Sequence, residues 1–268
     1  MTQKVVLVTG GSSGIGKSIG SYLKSKGFKV YGTTRNKSKY PDFSEFDLLE
    51  MNVKNVVSIE SAIAEIITLE GRLDVLINNA GVGITGPIEE TPHEEILVAF
   101  DTNFHGPIHV TKAVMPHMRR QGYGHIINIT SIAGYMGLPF RGIYSATKGA
   151  LELVTEAMRM ETKDSGIKIS SLAPGDFATN IANGRYHVPV YDNSPYKKYS
   201  DSLEMMNAHV DSGSNPILVA KMVLKIINSN NPKVHYKVGA TMQKFSLFLK
   251  KIVPDKLYEK LLMNHYKL

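Results

Sequence analysis

Thr9-Gly10-Gly11-Ser12-Ser13-Gly14-Ile15-Gly16-Lys17-Ser18 decides how this chain folds, and it reads in two incompatible ways. From Gly11 it is G-x-x-x-x-G-K-S, the phosphate-cradling loop of nucleoside triphosphatases. From Thr9 it is T-G-x-x-x-G-x-G, a glycine-rich turn of the dinucleotide-binding kind. Both readings need the same local structure, an apolar strand (Val5-Val6-Leu7-Val8) entering a turn that opens an amphipathic helix. Glycine lets the backbone approach a phosphate closely, and the helix N-terminus offers unpaired N–H groups and a positive dipole end. The stretch binds an anion on either reading.

Outward from that turn, short apolar runs alternate with helical patterns. Strands are expected over 5–8, 29–32, 48–51, 75–77, 126–129, 167–172 and 234–238. Several are nearly continuous apolar runs, as when both faces of a sheet are covered. The alternation predicts an α/β fold, a single-domain Rossmann-type doubly wound parallel sheet with helices on both faces. Gly27 and Gly71 are placed as helix stops, and Asn215-Pro216 as a helix start.

The choice between the two readings rests on acids. A triphosphatase needs an acidic residue closing a neighbouring strand to hold Mg²⁺. The expected strands run into Thr33-Thr34, Asn52, Asn78-Asn79, Thr130 and Ala173, none of them acidic. The dinucleotide reading gains from Thr34-Arg35, which closes the second strand where an adenosine ribose lies. A carboxylate there would accept from a 2′-hydroxyl, whereas a guanidinium offers donors and fixed charge to a 2′-phosphate. NADP(H) is therefore the expected cofactor, with Ser12 and Ser13 in reach of the same phosphate.

Thr9-Gly10-x-x-x-Gly14-x-Gly16, Asn78-Asn79-Ala80-Gly81, Asn103, Ser131, Tyr144-x-x-x-Lys148 and Pro174-Gly175 stand in the order and spacing of the short-chain dehydrogenases/reductases. The chain resembles that family over roughly residues 4–240. The resemblance implies that Gly10, Ser12, Ser13, Gly14, Ile15 and Gly16 hold the cofactor, and that Asn79, Ala80 and Gly81 flank it. Pro174, Gly175 and Thr179 would line its nicotinamide end. Asn52-Val53 stands where the family commonly has Asp-Val against the adenine; the asparagine keeps an acceptor for the adenine amino group.

Reducing a carbonyl by hydride requires a proton on the developing alkoxide. Tyrosine, with an ordinary pKa of ~10, needs help to exchange one near neutrality. Tyr144 and Lys148 are four residues apart in a helical stretch, so they share a face, and a nearby ammonium favours phenolate. By resemblance, Lys148 also holds the nicotinamide ribose, Ser131 orients the substrate oxygen, and Asn103 holds a water of a proton relay. The expected function is ketone/aldehyde–alcohol interconversion. A non-catalytic NADP(H)-binding regulator of the same fold is the alternative, though a scaffold has no physical need for the Tyr–Lys pair.

The remaining composition narrows the setting. There is no cysteine among 268 residues, which removes disulfides and thiolate chemistry. The short run at 5–8 does not make a secretion signal and no long apolar run makes a membrane span, so the cytoplasm is the expected compartment. His93, His105, His109, His117 and His125 are read as helix-surface and loop positions, and no metal is expected. Nucleic acid is not expected despite a net charge of +7, because aromatics do not interleave with arginines. Asn128-Ile129-Thr130 matches a glycosylation acceptor but falls in a buried strand.

Residues 184–213 carry Tyr186, Tyr191, Tyr196, Tyr199, Met205 and Met206 after a strand end, and are read as a substrate lid with an aromatic inner face. Residues 241–268 repeat apolar residues at helical spacing and hold six lysines against Asp255 and Glu259. Together with His235-Tyr236-Lys237-Val238-Gly239, the tail resembles the hydroxysteroid and retinol dehydrogenase branch. That implies a lipophilic small-molecule substrate, sterol-like, retinoid-like or long-chain. Two readings of this basic helical extension stay open, contact with an anionic membrane surface and a packed helix pair over the active site. Resemblance also implies a homodimer or homotetramer, paired through the helices around 94–120 and 144–165.

Overall fold

Val5, Val6, Leu7 and Val8 form β1 (Val5–Val8), and all four are buried, because this strand lies at the middle of a sheet covered on both faces. The computed structural model describes residues 3–177, 184–211 and 213–268. After β1 the chain turns into α1 (Gly14–Ser25), then β2 (Lys29–Thr34), β3 (Asp47–Glu50), α2 (Val56–Glu70) and β4 (Val75–Asn78). A two-residue strand, β5 (Ile84–Thr85), precedes α3 (His93–Phe100), a π-helical turn at Asp101–His105, and α4 (Gly106–Gln121). Next come β6 (Gly124–Ile129), α5 (Gly142–Glu161), β7 (Ile167–Pro174), β8 (Tyr186–His187) and α6 (Tyr199–Asp211). The chain closes with α7 (Ile217–Ile227), β9 (His235–Val238), α8 (Thr241–Ile252) and α9 (Asp255–His265).

Seven strands make one parallel sheet in the order β3-β2-β1-β4-β6-β7-β9, the doubly wound sheet that the alternation predicts. Alternate residues of each strand face opposite layers. Val5 and Leu7 pack with Ile59, Ile63 and Ile66 of α2 and Val110 and Val114 of α4. Val6 and Val8 pack with Ile19 and Leu23 of α1 and Val219 and Val223 of α7. Gly27 and Gly71 both have positive φ beyond their helices, as helix stops require. The Asn215 carboxamide accepts from Ile217 N at 2.9 Å, so its capping role holds although α7 itself begins after Pro216.

Strand ends differ from the expected limits in one place that matters. β3 ends on Glu50 because its register runs from Tyr31↔Asp47 to Thr34↔Glu50, so an acid does close a strand. It lies on the edge strand, two positions from β1, and its carboxylate accepts from Lys37 N. The strands flanking β1 end on Thr34 and Asn78.

Two further expectations change. His125 is buried in β6 rather than on a surface or loop, and burial, with Lys168, Arg159 and Lys4 nearby, pushes its pKa down to about 3. In the expected lid, Tyr199 is a core residue. Its hydroxyl donates to Val188 O at 3.0 Å and its ring lies 5.1 Å from that of Phe140. This pins the start of α6 to the β5–β8 pair, so Tyr199 is not part of an aromatic face open to a ligand.

Candidate active site

β1 neighbours β2 on one side and β4 on the other, and the chain leaves these strands toward opposite halves of the sheet. A crevice opens beyond their carboxyl ends, at the place where doubly wound sheets bind ligands. Here it is a cavity of about 370 Å³. Gly10, Ser12, Ser13, Gly14 and Ile15 line it, as do Thr34, Arg35, Asn52, Val53, Asn79, Ala80 and Gly81. Ser131, Tyr144, Lys148, Pro174 and Gly175 complete its expected lining. Gly16 and Asn103 stand behind the wall, and Thr179 lies outside the described residues.

The glycines serve close approach. Gly10 and Gly14 have φ of +64° and +53°, a region costly for residues with a Cβ. A Cβ on Gly16 would lie 2.2 Å from Gly10 O and 2.5 Å from Asn79 Nδ2, so Gly16 lets α1 pack directly on the turn. Thr9 Oγ1 accepts from Asn79 N (3.0 Å) and Ala80 N (2.9 Å), while Asn79 Nδ2 donates to Thr9 O (2.9 Å). These bonds clamp the ends of β1 and β4 together, so the Asn79 side chain supports the turn. Ser13 precedes α1 and makes no capping bond, which leaves its hydroxyl unspent at the helix N-terminus. Lys17 pairs with Glu45 and stands over the Phe43 ring, away from the cleft lining.

Arg35 is exposed at the end of β2 and has no hydrogen bond or ion pair among the described residues. Asn52 Oδ1 accepts from Lys54 N at 3.1 Å, and Val53 packs on Gly106.

The reactive end is built on β6 and α5. Ser131 caps a short turn at Ile132–Tyr135, its Oγ accepting from Ala133 N at 3.2 Å. Lys148 is buried, and its Nζ donates to Ile129 O at 3.0 Å. Burial lowers its pKa, while Tyr144 and Glu152 act in the opposite sense. Asn103 sits in the π-helical turn, a distortion that often marks functional sites. Its Oδ1 accepts from Val82 N (2.8 Å) and its Nδ2 donates to Val82 O (2.9 Å) and Thr147 Oγ1 (3.1 Å). A Cβ on Gly81 would lie 3.1 Å from Asn103 Oδ1 and 3.4 Å from Lys148 Nζ, so the bare Gly81 bridges the two groups.

Four charged lining residues escape a reading of sequence alone: Lys54, Arg141, Asp176 and Arg185. Arg141 lies over the Tyr144 ring at 5.3 Å and its Nη1 is 4.0 Å from Asp176 Oδ1. Asp176 Oδ2 accepts from Gln243 Nε2 of α8 at 2.6 Å, which ties the tail to the cleft. Arg141, one turn before Tyr144, and Asp176, directly after Pro174-Gly175, carried a positional hint; Arg185 carried none. Below Lys148, α5 continues with Glu152 and Glu156. The Glu152 carboxylate accepts from Thr130 Oγ1 and Ser171 Oγ, both at 2.5 Å, and His235 bridges Glu152 and Glu156 at 2.8 Å each. Among the described residues, no three His, Asp or Glu side chains gather where they could hold a metal ion.

The family model of the short chain dehydrogenases matches residues 4–187. A curated relative, the 3-ketodihydrosphingosine reductase of Bacteroides thetaiotaomicron, is 36% identical over 99% of both chains. A short-chain dehydrogenase from Streptomyces avermitilis superposes with a TM-score of 0.82 at 29% identity, covering 99% of this chain and 98% of that one. ElxO, solved with NADP bound, superposes with a TM-score of 0.72 at 28% identity, covering 88% of this chain and 97% of its own; other solved neighbours hold NAD. The sheet order, the glycine turn at its switch point and the match over most of the length agree: the chain belongs to the short-chain dehydrogenase family of oxidoreductases.

Proposed function

We propose that this protein interconverts a ketone and an alcohol with NADP(H), on an amphiphilic substrate with a long apolar part. The observation that carries the reading is the convergence of Ser131, Tyr144 and buried Lys148 on one cleft with the glycine turn. The chain's own groups fit a dinucleotide: a turn backed by bare backbone, an unspent Ser13 hydroxyl and an unpaired Arg35. When bound, NADPH supplies the hydride. Tyr144 Oη gives its proton to the carbonyl oxygen, and the Lys148 ammonium lowers the cost of the phenolate left behind. Ser131 Oγ orients that oxygen, and Asn103, adjacent to Lys148 across Gly81, would hold a water through which a solvent proton passes by way of Lys148 back to Tyr144. Asn79, Ala80, Gly81, Pro174, Gly175 and Thr179 would flank the cofactor, with Asn52 and Val53 at the adenine.

Arg35 supports the phosphorylated dinucleotide, since an exposed guanidinium makes a charge-assisted pair with a 2′-phosphate and only an ordinary hydrogen bond with a 2′-hydroxyl. The name of the Bacteroides relative supports a sphingoid-like, long-chain ketone. Absorbance of NADPH followed against a panel of long-chain and short-chain ketones tests the reading. Turnover favouring the long chains supports it, and preference for short polar ketones opposes it.

The tail supports a lipid setting through its two faces. Leu247 and Tyr258 are buried against the catalytic unit, and Lys250 Nζ donates to Tyr135 O at 2.7 Å. Met242, Phe245, Phe248, Ile252, Leu257 and Leu261 remain exposed among the tail lysines. No helix among the described residues is long and apolar enough to cross a membrane. A peripheral, in-plane contact with an anionic bilayer suits such a face. Flotation with anionic vesicles tests it: a Phe245→Ser/Phe248→Ser variant is expected to stay at the bottom while the parent floats, and equal behaviour opposes it. Exposed Leu97, Val98, Leu153 and Met160 on α3 and α5 fit pairing of two copies through those helices.

A further inference from the structure

Arg185 is held in an unusual way. Tyr186 N donates to Gly83 O at 3.0 Å, fixing the start of β8 beside β5. The stem of Arg185 then lies across Gly83, where an added Cβ would stand 2.9 Å from Cγ and 3.2 Å from Nε. Both residues line the cleft. Arg185 Nη1 is buried and has no hydrogen-bond partner among the described residues. Arg185 as a whole is half-buried, but a guanidinium stays charged in proteins, and a buried donor nitrogen of it left without a partner calls for an acceptor.

No acceptor for this nitrogen stands among the described residues. Asp176 is the carboxylate in this part of the cleft, and it is engaged by Arg141 and by Gln243. Burial disfavours the charge of Arg185, neighbouring Arg141 adds to that, and Tyr144, Asp176 and Tyr199 only partly offset it. Those neighbours also place the guanidinium. Arg141, Tyr144 and Asp176 line the reactive end of the cleft, whereas cofactor phosphates go to the glycine turn and the N-terminus of α1.

We infer that Arg185, with Arg141 beside it, forms a subsite for an acidic group (carboxylate, sulfonate or phosphate) carried by the substrate close to its reacting carbonyl. The inference rests on the reading of Tyr144 as the proton donor. It adds a charged headgroup to the long-chain ketone proposed above, and a planar two-nitrogen fork is the fitting receptor for such an oxyanion. Arg141, 5.3 Å from the Tyr144 ring, keeps the acidic group next to the proton donor.

The test compares 3-oxodecanoate with its methyl ester, equal in chain and differing in charge. Wild-type protein is expected to prefer the acid in kcat/KM, and Arg185→Met to lower the acid-to-ester ratio about tenfold or more, chiefly through KM, with partial rescue by Arg185→Lys. Calorimetric titration of decanoate against methyl decanoate, with NADP⁺ present, reads the same preference without turnover. Tighter decanoate binding lost in Arg185→Met supports the subsite even where neither ketone is reduced, an outcome that would count against the proposed reaction alone. An unchanged acid-to-ester ratio, or a fall in NADPH affinity that accounts for the whole loss, overturns the subsite. Competition of inorganic phosphate with NADPH rather than with decanoate points to a cofactor phosphate as the source and overturns it too.

Discussion

The ammonium of Lys17 is paired with the carboxylate of Glu45 and stands 5.5 Å from the centre of the Phe43 ring. In a triphosphatase loop that lysine must reach the β- and γ-phosphates. Here the pairing holds it away from the cleft, and the match from Gly11 to Ser18 is a by-product of a dinucleotide turn.

Lys17→Met is accordingly expected to leave NADPH affinity within about twofold of the parent. The ion pair is largely exposed, so the loss of stability should stay below ~1 kcal/mol. Fluorescence titration of NADPH and thermal melting check both values; a tenfold loss of affinity would restore the phosphate role.

Arg35 should behave oppositely. Arg35→Leu is expected to weaken NADPH by about tenfold or more, as a lost charge-assisted pair with a phosphate does, and to leave NADH nearly unchanged. Parallel titrations of the two cofactors measure the switch. Equal effects on both would remove Arg35 from cofactor choice.

Gly16→Ala should damage the turn itself. Its methyl would stand 2.2 Å from Gly10 O, which is backbone and cannot rotate away. Overpacking of this kind costs about 1–3 kcal/mol, and a lower melting temperature with weaker NADPH binding is expected. Wild-type values for both would show that α1 can slide.

His125 gives the acid side of the stability profile a specific component. Its pKa falls from the ordinary ~6.5 to about 3 in the folded chain, so the unfolded chain binds the extra proton between those values. Stability is present above pH ~6.5 and is lost progressively as pH drops toward 3, by roughly 5 kcal/mol at most. Melting from pH 7 to pH 4 should therefore fall less steeply in His125→Gln than in the parent. Parallel slopes would mean that the imidazole is already protonated in the fold.

Much of this architecture was legible because parallel strands buried on both faces read as apolar runs, and all seven appear in the sheet. Ends were less legible, since β2 reaches Thr34 only through its pairing with Glu50 on a neighbouring strand. The cleft lining followed from the spacing of motifs, yet Arg185 and the Glu152–His235 contact did not. Those depend on segments brought together across the chain, such as β5 with β8, that leave no local periodicity. Tyr199 shows the converse error, an aromatic residue expected on a lid that proved to be core at the start of α6.

The central claim is that Tyr144 supplies the proton while Lys148, buried and bonded to Ile129 O, stabilises the phenolate. Single-turnover reduction of a long-chain ketone by Tyr144→Phe, with NADPH affinity measured on the same sample, tests it most directly. The expected result is a rate lower by about 10²–10⁴-fold with NADPH bound as tightly as by the parent; an unchanged rate would contradict the account.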